Sequence, residues 1–107
     1  MTIQINTDKN LSVHEAFETQ LDAMLTDELS RFSEHITRLE VHLSDENGSK
    51  QEQNDKRCMI EARIKGRQPI AVTANANDYE LAVSGAIEKL KASLGTIEGK
   101  LRNHYNQ

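Results

Sequence analysis

The chain has 107 residues, of which 36% are apolar and 28% charged, with a net charge of -4 and no Trp. That is enough for one domain with one thin core and too little for two, so one fold should cover residues 1–107. No apolar run approaches the length of a membrane span, and the start MTIQINTDKN has neither the basic residues nor the apolar core of a signal peptide, which points to the cytoplasm.

The elements follow in chain order. Thr2 to Thr7, TIQINT, alternates Ile3 and Ile5 with polar residues and predicts a short half-buried strand. Asp8-Lys9-Asn10 turns the chain, and Ser12 with Glu15 makes a capping box that opens a first helix. Its apolar face is Val13, Ala16, Phe17, Leu21, Met24, Leu25 and Leu29, continuing to Phe32. Ile36 to Ser44 switches to a period of two, with Leu39, Val41 and Leu43 on one face and Arg38, Glu40 and His42 on the other.

Asp45 to Asp55, DENGSKQEQND, has no apolar residue and predicts an exposed, mobile loop. Arg57 to Lys65 alternates again, with Cys58, Ile60, Ala62 and Ile64 inward. Gly66-Arg67-Gln68 is a tight connection to a fourth run, opened by Pro69, in which Ile70, Val72 and Ala74 share a face. Asn77 and Asp78 then offer an N-cap to a long helix reaching Tyr105, whose apolar stripe is Val83, Ala86, Ile87, Leu90, Leu94, Ile97 and Leu101. Gly85, Gly95 and Gly99 lie inside it, each weakening a helix by about 1 kcal/mol relative to Ala, so packing must hold it together.

The order β-α-β-β-β-α predicts an α+β fold: a four-stranded mixed sheet with both helices packed on one face. A crossover helix makes the first two strands parallel, and the short links afterwards make the rest antiparallel. The expected core is Val83, Ala86, Leu90, Leu94, Phe17, Leu21, Leu39, Val41, Ile60 and Val72.

Enzyme motifs are lacking. There is no Gly-rich phosphate loop, no G-x-S-x-G and no Cys/His spacing suited to zinc, so neither catalytic residues nor a metal, cofactor or small-molecule substrate is expected. His14, His35, His42 and His104 are scattered, and Cys58, the one cysteine, reads as a buried structural thiol.

Charge is distributed unevenly. Leu11 to His35 carries Glu15, Glu18, Asp22, Asp27, Glu28 and Glu34 against Arg31, while Lys56 to Ile70 carries Lys56, Arg57, Arg63, Lys65 and Arg67 against Glu61. Arg57, Arg63 and Lys65 project from one face of the third strand, with Arg38 and His42 beside them and Arg67 at the turn. Lys89, Lys91, Lys100 and Arg102 lie outside the apolar stripe of the second helix. Such bases can gather phosphates.

TIQIN, NLSVHEAFETQLDAML, RFSEHITRLEVHL, CMIEARIKG and NDYELAVSGAIEKLKASL with KLRNH together resemble the ribosome hibernation-promoting factor and protein Y family, over nearly the whole chain. Asp78 falls at that family's acidic helix start, Gly85 to Leu90 at its G-x-x-[DE]-K-L-like core and Lys100-Leu101-Arg102 at its basic end. Tyr79 comes one place early with Glu80 after it, Ala92, Thr96 and Glu98 stand where many members carry Lys or Arg, and the first helix is acidic.

The resemblance implies the same β-α-β-β-β-α fold. It also implies a translation-silencing factor that binds the small ribosomal subunit, rRNA and ribosomal proteins alike, in the mRNA and tRNA channel. RNA binding is expected to rely on the bases retained on the second helix, Lys89, Lys91, Lys100 and Arg102, helped by Arg63, Lys65 and Arg67 near the turn after the third strand. Because the chain stops after Tyr105, short-form behaviour without a dimerising C-terminal domain is expected. The alternative is a divergent relative that binds a basic protein through its acidic first helix.

Overall fold

The computed structural model describes residues 1–7, 15–45 and 55–105, with the side chains of 100–105 excepted. The elements are β1 (Thr2–Thr7), α1 (Glu15–Glu28), a 3₁₀ turn (Ser30–Phe32), β2 (Ile36–Asp45), β3 (Lys56–Ile64), β4 (Ile70–Ala76) and α2 (Tyr79–Tyr105). The strands form one sheet in the order β1-β2-β3-β4, with β1 parallel to β2 and the other two pairs antiparallel. The β-α-β-β-β-α order and the mixed four-stranded sheet expected from the sequence are therefore present.

Register turns the period-two pattern into a single apolar layer. Ile3 is opposite Leu39 and Ile5 opposite Val41, while Leu39, Val41 and Leu43 face Ala62, Ile60 and Cys58 in turn. Leu21, Leu25 and Leu29 of the first helical segment and Ala82, Val83, Ala86, Ile87, Leu90 and Leu94 of α2 join those strand residues in one buried cluster, so both helices cover this face. α2 lies mainly over β4 and β3. Thr37 makes a local irregularity at the start of β2, its hydroxyl donating to the Arg63 carbonyl at 3.2 Å, and this flips the alternation so that Ile36 is buried as well.

Asp78 takes the N-cap of α2: its carboxylate accepts from the Leu81 N–H at 2.8 Å and its carbonyl from the Ala82 N–H at 3.1 Å. The capping box at Ser12 and the apolar Val13 fall outside the described residues, as do positions 46–54 of the expected loop.

Four details differ from the sequence reading. The first helix ends at Glu28, and a 3₁₀ turn follows, in which the Phe32 N–H donates to the Leu29 carbonyl at 2.9 Å; this tighter winding swings Phe32 into the core. Phe17 and Val72 are half-buried, packed against the core rather than within it, and Ala16 is exposed. These three belong to α1, which lies over the β1 border, and to β4, the opposite border strand, so each lacks a neighbour on one side. Asp55, placed in the exposed loop, is buried, and it sits 3.4 Å from Lys56. Lys56 also reaches Asp45, its register partner, at 2.7 Å, so the two ends of that connection close the β2-β3 ladder instead of lying free.

Candidate nucleic-acid interface

Among the described residues, the β3-β4 turn presents the densest positive charge with no ion pair of its own. Gly66 has φ 73°, a left-handed backbone that suits glycine, and it lets the Arg67 N–H donate back to the Ile64 carbonyl at 3.1 Å. The Lys65 N–H donates to the His35 carbonyl at 2.9 Å, tying the turn to the segment that enters β2. The backbone is thus fixed while the side chains of Lys65 and Arg67 stand in solvent.

Next to the turn, the outer sheet face carries an ordered array of opposite charges. Arg38 is opposite Arg63 and Glu40 is opposite Glu61 on adjacent strands. The Arg38 guanidinium binds Glu40 at 3.0 Å and also donates to Gln4, and Arg63 lies 3.6 Å from Glu61. Each arginine has a carboxylate two residues along its own strand, which offsets the like charge facing it across the ladder. The hydrogen bond from Arg38 holds the Glu40 carboxyl below its usual 4.5, with the charges of Arg63 and His42 acting the same way and partial desolvation opposing them.

The bases of α2 are not gathered on one face. Lys89 donates to the Thr73 carbonyl on β4 at 2.6 Å, whereas Lys91 turns the other way to Glu28 of α1 at 3.0 Å and Glu88 at 3.8 Å. Two residues along a helix are about 200° apart, which separates them. The Glu28 carboxylate pushes the Lys91 ammonium above its usual 10.5. Lys100 and Arg102 occupy the final turns of α2, and their side chains are outside the described residues. The helix nevertheless brings its end to the β3-β4 turn, because Ile97 shares a cleft with Gly66, Arg67, Gln68, Pro69 and Ile70.

The structure therefore brings Arg63, Lys65 and Arg67 together at one end of the molecule, directs the last turns of α2 toward them, and leaves Lys89 and Lys91 engaged elsewhere. It adds Arg31, which the sequence reading counted only as the lone base of an acidic helix. Arg31 lies in the 3₁₀ turn, pairs with Glu98 of α2 at 2.9 Å, and rests on the Phe32 ring with 5.0 Å to the centroid. Its sequence neighbours Ser30 and Phe32 gave no signal of this, since the pairing depends on where the turn docks against α2.

Ion pairs move Glu40, Lys56 and Lys91 toward their charged forms. That is the tuning of solvated charge networks, and the reverse of what a general acid or base at neutral pH requires. No group of three or more His, Cys, Asp or Glu fit to hold a metal occurs among the described residues.

Residues 3–102 match the family model described as Sigma 54 modulation protein / S30EA ribosomal protein. No curated protein matches the sequence. Among solved structures, the N-terminal domain of Protein Y from Thermus thermophilus superposes with a TM-score of 0.71 at 18% identity, covering 91% of this chain and 99% of that one. A ribosomal subunit interface protein from Coxiella burnetii gives a TM-score of 0.71 at 16% identity, covering 92% and 99%. At such identities the likeness is one of fold.

Proposed function

We propose that this chain, which belongs to the Sigma 54 modulation protein / S30EA ribosomal protein family, is a ribosome-associated factor that binds the small subunit in the mRNA and tRNA channel and silences translation while bound. The family match over residues 3–102 carries this reading. The solved structures of like fold, a Protein Y domain and a subunit interface protein, support it.

The basic end of the molecule supplies the RNA contact. Lys65 and Arg67 are exposed on a rigid turn, Arg63 stands beside them on the sheet, and Lys100 and Arg102 fall in the final turns of α2. Lys89 and Lys91 join by exchanging an internal partner, the Thr73 carbonyl or the Glu28 carboxylate, for phosphate. Such exchange gains less than a contact from a free side chain, because the pair it breaks is lost. The acidic α1 stays away from phosphate or meets a basic ribosomal protein. The activity needs no cofactor, metal or small-molecule substrate, and its setting is the cytoplasm; no helix among the described residues is long and apolar enough to cross a membrane.

Titration of purified small subunits with the parent and with an Arg63→Ala/Lys65→Ala/Arg67→Ala variant tests this. Three lost phosphate contacts should lower the slope of log affinity against log salt by about 2. Cosedimentation of the parent with small subunits that is blocked by mRNA or tRNA supports the channel. Binding by the triple variant equal to the parent's removes the β3-β4 turn from the interface, and absence of any ribosome binding at low salt removes the function.

A further inference from the structure

The two border strands of the sheet are finished differently. On β4, the Lys89 ammonium caps the Thr73 carbonyl at 2.6 Å, Pro69 precedes the strand, and α2 lies across it. Among the described residues, β1 has none of these devices. Its sequence TIQINT holds no charge and no proline, its register with β2 runs unbroken from Thr2 to Thr7, and β2 is its one neighbour in the sheet among the described residues. An unbulged, uncharged border strand is a template for another strand, since alternate residues point N–H and C=O groups outward.

The space beside that border is a groove. Ile3 and Ile5, both half-buried, form its floor, and Glu15, Glu18, Thr19, Asp22 and Ala23 form its wall, enclosing about 470 Å³. Those five wall positions make one helical stripe of α1, distinct from the stripe of Leu21 and Leu25 that enters the core. None of the three wall carboxylates pairs with a cation among the described residues. The carboxylate row from Glu15 to Asp22 is about 10 Å long at 1.5 Å per residue. On an added strand, successive inward side chains are roughly 7 Å apart, so two of them match the row.

We propose that β1 accepts an extended, basic segment of a partner polypeptide as a fifth strand, with the aliphatic stems of its inward Lys or Arg side chains over Ile3 and Ile5 and their charged ends on Glu15, Glu18 and Asp22. This is strand addition: the main chain supplies affinity and the alternate side chains supply selection. The charge excludes the other occupants. Phosphates would face three carboxylates, and a second copy pairing β1 with β1 would bring six carboxylates together along the shared border. The surface is separate from the basic end of the molecule and holds whether or not that end binds rRNA.

The test uses the full chain and a fluorescein-labelled ten-residue peptide of alternating lysine and valine, titrated by anisotropy at low salt. Two controls accompany it: a peptide of the same composition with all lysines before all valines, and an alternating glutamate and valine peptide. The alternating basic peptide should bind, slow the exchange of outward-pointing β1 amides, and bind about tenfold less well to a Glu18→Lys/Asp22→Lys variant, as expected for two reversed surface charges. Equal thermal midpoints of parent and variant verify the fold. Equal affinity for the block peptide, unchanged affinity in the variant, protection of amides elsewhere than β1, or preferential binding of an RNA oligonucleotide by the groove would each overturn the proposal. So would concentration-dependent dimerisation that the Glu18→Lys/Asp22→Lys variant enhances, which would assign the border to a second copy.

Discussion

The Lys91 ammonium of α2 lies 3.0 Å from the carboxylate of Glu28, the last residue of α1. α1 has no basic residue in its last turn, so the negative end of its dipole and the Glu28 charge coincide, and Lys91 answers both from the neighbouring helix. The second clasp, Arg31 to Glu98 at 2.9 Å, runs in the opposite sense, from the 3₁₀ turn back to α2. An acidic first helix and a mixed second helix are thereby joined through complementary charge at their rims, while the leucines between them provide the adhesion.

Lys91→Met keeps the aliphatic stem and removes the clasp. Because Glu28 raises the folded pKa of Lys91 above 10.5, the stabilisation is fully present below that value and is lost as pH rises through the higher folded value. The variant should therefore show a small drop in denaturation midpoint at neutral pH, shrinking in high salt and in strong alkali. An equal deficit at pH 7 and above pH ~11 would assign the effect to packing instead.

Leu90 is fully buried at the centre of the α2 stripe. Leu90→Ala should cost about 2 to 5 kcal/mol, the range for leucine truncations that leave a cavity. Urea denaturation measures it, and an unchanged midpoint would mean that α2 does not press on the sheet at this turn.

The glycines of α2 separate two roles. A Cβ at Gly85 would lie 3.2 Å from the Ala74 Cβ, whereas one at Gly95 would meet nothing within 4 Å. Gly95→Ala should stabilise by about 1 kcal/mol through helix propensity. Gly85→Ala should forfeit that gain or destabilise, since helix and strand would have to part. Equal gains at both positions, read from urea midpoints, would show that the α2-β4 contact yields freely.

What the sequence made legible was periodicity. Leu39, Val41 and Leu43 alternate, Val83, Ala86, Leu90 and Leu94 recur every three or four residues, and all seven are buried where that pattern puts them. Phe17 and Val72 show its limit: a residue can occupy the apolar face and still be half-covered when its element borders the layer. Asp55 shows another, for polarity suggested solvent while the Lys56 ammonium allowed burial.

At the candidate interface, adjacency in sequence gathered Arg63, Lys65 and Arg67 correctly at one turn. Lys89 and Lys91 look equally adjacent in sequence, yet a two-residue step on a helix sends one to β4 and the other to α1. Internal partners depend on tertiary placement, which residue spacing does not encode.

Cys58 is fully buried, and burial pushes its thiol up to about 12. At pH 8 its thiolate fraction is roughly one in ten thousand, so a thiol-specific disulfide reagent should modify the native protein only as fast as the sheet opens. Denaturant that unfolds the chain should restore ordinary reactivity. Rapid modification of the native protein would contradict the burial of β3.

The outer sheet face gives the protein an acid-sensitive element. Arg38 holds Glu40 below its usual 4.5, so the folded carboxylate loses its proton more readily than the unfolded one. A lowered folded pKa contributes stability that is present above the unfolded value and lost as pH falls through the folded value. Arg38→Gln removes the first cause of the shift while leaving a polar side chain opposite Arg63. Denaturation midpoints should then fall less steeply for the variant than for the parent as pH drops below 4.5, although the variant starts lower at neutral pH. Coincident acid limbs for the two proteins would show that the Arg38 to Glu40 contact does not persist in solution, and that the arginine is free to reach phosphate from the sheet face.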